Sequence, residues 1–172
     1  MKVALSISDF LERAELVYGD RIGVIDEPDQ PARSWGSVTY AEMARRARAQ
    51  AAGLDALGVG RGARIAMVSQ NSARLLTSFF GVSGWGRIFV PVNFRLTADE
   101  VGYIVEHSGA EVLMIDPELD ESLAGVTARH RYVMGAESDD ALLAFDRDPE
   151  PWEPDEDATA TINYTSGTTA RP

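Results

Sequence analysis

Apolar positions along this chain alternate between two periods. After Thr39, the residues Tyr40, Met43, Ala44, Ala47, Ala51 and Leu54 recur every three or four positions, the spacing of one face of an α-helix. Thr39 followed by Glu42 is a reciprocal capping arrangement that opens this helix. Gly58 is placed to close it in a left-handed conformation. Arg45, Arg46 and Arg48 fall off the apolar face and read as solvated, with a phosphate or coenzyme A contact as the sharper alternative. A first helix is predicted over 8–18, with Phe10, Leu11, Ala14 and Val17 as its apolar face. A third starts at Asn71 or Ser72 and runs to Ser83, carrying Phe79 and Phe80 towards a core that also takes Trp35 and Trp85. A second capping box, Thr97 with Glu100, opens a fourth helix. Leu96 and Val101 can staple its entry, and Gly109 stops it.

Between the helices lie short apolar runs of strand length at Ile22–Ile25, Arg64–Ser69, 87–92 and 111–115. Pro28 and Pro31 mark a turn that can close a hairpin between the first run and 34–38. Asp116-Pro117 reads as a strand-ending turn. Further on, 131–134 is a candidate strand and 139–145 a candidate short helix. Pro149, Pro151 and Pro154 mark an extended connector, and 159–164 is a β-rich segment running into a loop of small residues. Strand–helix alternation with apolar strands predicts an α/β fold. Its mainly parallel sheet runs through Ile65, Phe89 and Leu113, with helices on both faces and right-handed crossovers.

Charge changes the picture in one region. The 172 residues carry a net charge of −11. Ten acidic residues against the single Arg147 fall within 137–157, so most of the excess sits in the connector. It reads as a solvated acidic stretch, or more sharply as a docking surface, and such a surface excludes a nucleic-acid partner. With no cysteine, disulfides, thiolate metal sites and a cysteine nucleophile are all excluded. A reducing, cytoplasmic setting is expected. No signal peptide is expected at the start, and no run is long and apolar enough to cross a membrane. His107 lies near a helix end, where the helix dipole favours a cation. His130 has arginine neighbours. Neither has a second ligand at metal spacing, so no metal site is expected.

The residues suited to chemistry come last. Ile162-Asn163-Tyr164 leads into Thr165, Ser166, Gly167, Thr168, Thr169, Ala170 and Arg171. Hydroxyls and free backbone N–H groups donate to phosphate oxygens, and Gly167 lets the backbone approach an anion with no Cβ in the way. A Walker A loop is excluded, because Pro172 stands where that motif needs its second glycine. The residues themselves fit either a polyphosphate cradle or an ordinary polar loop.

The order Tyr-Thr-Ser-Gly-Thr-Thr-x-Arg-Pro resembles the signature loop of the adenylate-forming (AMP-binding) enzymes, among them the AMP-forming acyl-CoA synthetases. Three further stretches resemble family segments in the same order: Ser37-Val38-Thr39-Tyr40-Ala41-Glu42-Met43, then 58–66 from Gly58 to Ala66, then 86–96 around Val90-Pro91-Val92-Asn93. The resemblance covers nearly the whole chain. It implies that residues 1–172 form the amino-terminal subdomain of such an enzyme, truncated within the phosphate-binding loop. It further implies that Thr165, Ser166, Gly167, Thr168, Thr169 and Arg171 hold the phosphates of ATP. The complete enzyme would use ATP, Mg²⁺ and coenzyme A to join a carboxylic acid to a thiol through an acyl-adenylate. Arg95-Leu96-Thr97 after the Val-Pro-Val-Asn run leans towards fatty or related acyl acids. Ala170 departs from the glycine usual at that position. The loop lysine and the residues expected to hold Mg²⁺ would lie past Pro172. No catalytic residue is therefore assigned within the chain, which alone is expected to be inactive. A homo-oligomer is left open. The rival readings are a non-catalytic nucleotide-binding module and a partner-binding unit. Reading the gene past Pro172 separates them from the enzyme.

Overall fold

The computed structural model of the chain describes residues 4–135, 139, 141–144 and 146–165. Helix α1 spans Ile7–Tyr18, followed by a two-stranded antiparallel hairpin of β1 (Ile22–Ile25) and β2 (Ser37–Thr39). Helix α2 (Tyr40–Ala56) then leads to the regular alternation of β3 (Arg64–Ser69), α3 (Ala73–Ser83), β4 (Ile88–Asn93), α4 (Ala98–Ser108) and β5 (Ala110–Ile115). A 3₁₀ turn at Pro117–Leu119 precedes β6 (His130–Val133). Strands β4, β3, β5 and β6 lie in that order in one parallel sheet, with Ile65 beside Phe89 and Ala66 beside Leu113. The expected α/β architecture is what forms.

The strands are apolar on both faces because both faces are covered. Ile65 and Met67 point to one side, where they join Leu54 of α2, Val82 of α3 and Phe89 in one buried cluster. Ala66 and Val68 point to the other, packing with Val90, Val92, Leu113 and Ile115 against Val101, Ile104 and Val105 of α4. A third cluster joins α1, β2, α2 and α3 through Leu11, Val38, Met43, Ala44, Ala47 and Ala73. Deleting the Leu54 side chain, which is fully buried, should cost about 2–5 kcal/mol.

The helix starts obey local chemistry. The hydroxyls of Thr39, Ser72 and Thr97 each accept the backbone N–H three residues on, from Glu42, Leu75 and Glu100. Glu100 also closes its box by accepting the Thr97 N–H at 2.8 Å. Gly109 ends α4 with φ +64°, as expected. Phe79 and Phe80 are half-buried and meet edge to face, and Trp35 and Trp85 pack against the clusters.

Two expectations need correction. Helix α1 buries Ser8 and Leu11, whereas Phe10 and Val17 are 69% and 55% exposed. Leu11 packs on Met43, Ala44 and Ala47 of α2 and Glu15 pairs with Arg48 at 2.6 Å, so the 8/11/15 face lies towards α2 and the larger apolar side chains face out. The segment 159–164 is not a full strand. It makes one parallel bridge, Thr161 beside Phe89, before Ile162 and Tyr164 leave the ladder to pack on the α4 side of the sheet. Of the candidate helix at 139–145, Asp140 and Phe145 lie outside the described residues. Leu143 N–H donates to Asp139 C=O as in a helical turn, and Leu142 and Leu143 are buried.

Candidate functional site

Of the loop residues, Thr165 is exposed, and Ser166, Gly167, Thr168, Thr169 and Arg171 lie outside the described residues. What the structure shows is how the chain is delivered to them. Over 146–160 the acidic connector is a strap fastened at several points, and its charged side chains there are exposed. Its Glu150 N–H donates to Asp55 Oδ2 at 2.7 Å, and Glu150 C=O accepts from Arg61. Trp152 Nε1 donates to Gly84 C=O at 3.0 Å. The Ser83 hydroxyl donates to Ala160 C=O at 2.8 Å, and the backbone of Phe89 then exchanges bonds with Ala160 and Ile162. Gly86 has φ +74°, and a Cβ there would come within 2.7 Å of the Trp152 ring. Only glycine allows the strap to lie this close.

Asp55 is the fastening point beneath the strap. Its carboxylate also accepts from Arg61 and, at 2.5 Å, from Arg87. Arg87 is fully buried, donates twice to Val59 C=O, and keeps one nitrogen, Nη1, without a partner. Burial pushes the Arg87 guanidinium below its ordinary pKa, and the bond to Asp55 opposes that shift.

Past the bridge, Tyr164 reaches the last turn of α4. Its hydroxyl lies 2.8 Å from His107 Nδ1, and its ring meets the imidazole edge-on. Tyr103, one turn earlier, stacks on His107 with centroids 5.2 Å apart. Burial raises the Tyr164 phenol pKa and Tyr103 reinforces the shift, while a hydrogen bond with Ser108 opposes it. His107 therefore ties α4 to the loop root. Its expected role as an isolated cation at a helix end misses this partner, 57 residues away.

Open parallel sheets usually bind ligands where strand connections diverge, at the carboxyl ends. Here the chain leaves β3 towards β4 and leaves β5 in the opposite direction, so the divergence falls between β3 and β5. That crevice is stitched shut. The buried Asp116 accepts Gln70 N–H at 2.8 Å, and Gln70 Nε2 donates to Glu118. Burial raises the Asp116 pKa, and the Gln70 bond partly offsets it. Among the described residues no group of three histidine, cysteine or acidic side chains is placed to hold a metal ion.

The arginines of α2 are largely spoken for. Arg45 and Arg46 both bind Glu42, and Arg48 binds Glu15. Arg46 also lies over the Trp35 ring at 3.9 Å, with Arg74 at 4.7 Å. Arg74 is fixed by Asp139 and by Arg33 C=O. Trp152 and Arg87 escaped the sequence reading because each acts through partners distant in sequence. The one signal for Trp152 was a lone tryptophan inside an acidic, proline-rich run.

Comparison with known proteins agrees with this arrangement. Residues 11–172 match the family model of the AMP-binding enzymes. A long-chain-fatty-acid–CoA ligase of Thermus thermophilus is 36% identical over 184 residues, covering 100% of this chain and 33% of that protein. A feruloyl-CoA synthase of an Amycolatopsis species is 38% identical over 137 residues, covering 79% of this chain and 27% of that protein. Among solved structures, the inhibitor-bound N-terminal domain of FACL13 from Mycobacterium tuberculosis superposes with TM-score 0.76 at 31% identity, over 97% of this chain and 42% of that one. The anthranilate CoA ligase AuaEII, in complex with anthranoyl-AMP, gives TM-score 0.84 at 26% identity, over 98% of this chain and 33% of that one. The chain thus spans about a third of the length of the relatives it matches. With residues 11–172 matched by the family model, the chain belongs to the AMP-binding, adenylate-forming enzymes.

Proposed function

We propose that these residues serve an ATP-dependent carboxylic acid–CoA ligase of the cytoplasm, acting on a fatty or related acyl acid through an acyl-adenylate. The observation that carries this reading is the Tyr-Thr-Ser-Gly-Thr-Thr run directly after a segment pinned to the sheet edge at Thr161. In it, the hydroxyls of Thr165, Ser166, Thr168 and Thr169 donate to the β- and γ-phosphate oxygens of ATP. Gly167 leaves its N–H open to the same anion, and Arg171 offers a planar, permanently charged donor. This donor set suits a polyphosphate, and it holds no carboxylate to neutralise a metal ion. Mg²⁺ would therefore take its protein ligands from elsewhere in the enzyme and supply charge neutralisation to the phosphates. Holding the polyphosphate still lets the acid's carboxylate attack the α-phosphorus, with pyrophosphate leaving. The thiol of coenzyme A then takes the acyl group and releases AMP.

The fatty-acid preference is supported by the Thermus relative, which is named for long-chain fatty acids. The test is pyrophosphate release by the complete protein with ATP, Mg²⁺ and a panel of fatty and aromatic acids. Acid-dependent release, followed by thioester formation with coenzyme A, is expected. ATP binding with no release for any acid would instead indicate a non-catalytic nucleotide-binding module.

A further inference from the structure

The last backbone bond before the loop is the one from Ile162 N–H to Phe89 C=O. Within the described residues, Asn163 folds back on the Thr161 hydroxyl. Among the described residues, the final tether before the loop hydroxyls is thus a side chain, that of Tyr164, which meets His107 at 2.8 Å and also bonds to Ser108 at the end of α4. The imidazole meets two rings, stacked on Tyr103 at an interplanar angle of 23° and edge-on to Tyr164 at 82°. Tyr103 and His107 are four apart on α4, where side chains face each other. Since α4 is anchored by Val101, Ile104 and Val105, the imidazole is a fixed point on a rigid helix.

We infer that His107 is a positioning residue for the phosphate loop: through Tyr164 it fixes where the loop begins and thereby sets the affinity for the polyphosphate of ATP. This rests on the loop reading proposed above. A loop that starts from a fixed root gives up fewer conformations when it closes on its ligand, so part of the ordering cost is met before ATP arrives. His107 is exposed and belongs to none of the buried clusters, so its loss should barely move global stability.

The test uses the complete enzyme carrying these residues. His107→Ala, Tyr164→Phe, the double variant and His107→Asn are compared by pyrophosphate release, with KM measured separately for ATP and for the acid, and with Tm. Losing one hydrogen bond should raise KM for ATP about three- to tenfold for His107→Ala or Tyr164→Phe. KM for the acid and Tm should stay near wild type. The double variant should be no worse than Tyr164→Phe alone, because the His107 contact is already lost in it. His107→Asn, whose amide can occupy the place of Nδ1, should recover most of the loss. Unchanged KM for ATP, equal shifts in both KM values, or additive effects would overturn the inference. Thr168→Ala serves as the control. If it impairs ATP use and the His107 variants do not, only the positioning role fails. If it too leaves ATP use unchanged, the loop reading itself fails.

Discussion

Removing Asp55 should destabilise this fold more than removing the arginine it neutralises. Asp55 Oδ1 takes Arg87 Nη2 at 2.5 Å and Arg61 Nη1 at 3.0 Å, while its Oδ2 takes Glu150 N–H at 2.7 Å. Asp55→Ala would leave Arg87, whose side chain is 0% exposed, charged in the interior with only Val59 C=O to bind. Stripping one partner from a buried pair costs about 3–5 kcal/mol. It would also unfasten the strap at Glu150. Arg87→Met removes the buried charge together with its desolvation cost. Asp55, at 10% exposure, would keep Arg61 and the Glu150 N–H, so the loss reduces to the orphaned Val59 C=O, about 1–2 kcal/mol. With a urea slope of roughly 2 kcal/mol per M, the midpoint should fall by roughly 2 M for Asp55→Ala and by under about 1 M for Arg87→Met. Adding Arg87→Met to Asp55→Ala should restore stability, since it removes the stranded charge. Urea titrations followed by tryptophan fluorescence measure all three. A double variant as unstable as the sum of the singles, or an Arg87→Met more damaging than Asp55→Ala, would refute the reasoning.

Gly86→Ala should cost about 2–3 kcal/mol, read as a lower Tm, because it combines a left-handed φ of +74° with a Cβ 2.7 Å from the Trp152 ring. Adding Trp152→Ala should relieve the steric part but not the backbone part. Glu42 is held at a pKa of about 2, from an ordinary 4.5, chiefly by its hydrogen bond to Arg45, against partial burial and with Arg46 adding to it. A depressed acid stabilises above its unfolded pKa. Its contribution is complete above pH 4.5 and is lost as pH falls from 4.5 towards 2. Because Glu42 is 34% exposed the effect is screened, roughly 0.5 kcal/mol. Glu42→Gln should therefore lie below wild type in Tm at neutral pH and converge with it near pH 2. The 172-residue chain alone, offering loop hydroxyls but no assembled metal site among its described residues, should form no acyl-adenylate with ATP, Mg²⁺ and a fatty acid. Acid-dependent pyrophosphate release by that chain would contradict this.

Where structure follows from near neighbours, the sequence was readable. The caps at Thr39, Ser72 and Thr97 and the stop at Gly109 depend on residues within one helical turn, and β3 falls on Arg64–Ser69 as expected. The Arg45 and Arg46 face was read as solvated and Glu42 as closing the cap at Thr39, whereas the Glu42 carboxylate binds both arginines instead and Arg46 lies over Trp35. Long-range partners broke the reading. Arg87 looked like the first residue of a strand, and only Asp55, 32 residues earlier, explains its burial. The connector looked solvated because its acids are, but its backbone and Trp152 are bound to Asp55, Arg61 and Gly84. Phe10 and Val17 had the right period for a buried face. Which face of α1 turns inward depends on its packing against α2, where Leu11 meets Met43, Ala44 and Ala47 and Glu15 meets Arg48. The loop residues were legible by their order, and their root at Tyr164 only through His107.

The most direct measurement is ATP–pyrophosphate exchange by the complete enzyme, comparing wild type with Thr168→Ala and Thr169→Ala. If these hydroxyls hold the polyphosphate in the transition state, each substitution should lower kcat for exchange about tenfold or more while leaving KM for the acid unchanged. Exchange at the wild-type rate in both variants would contradict the assignment of this loop to ATP.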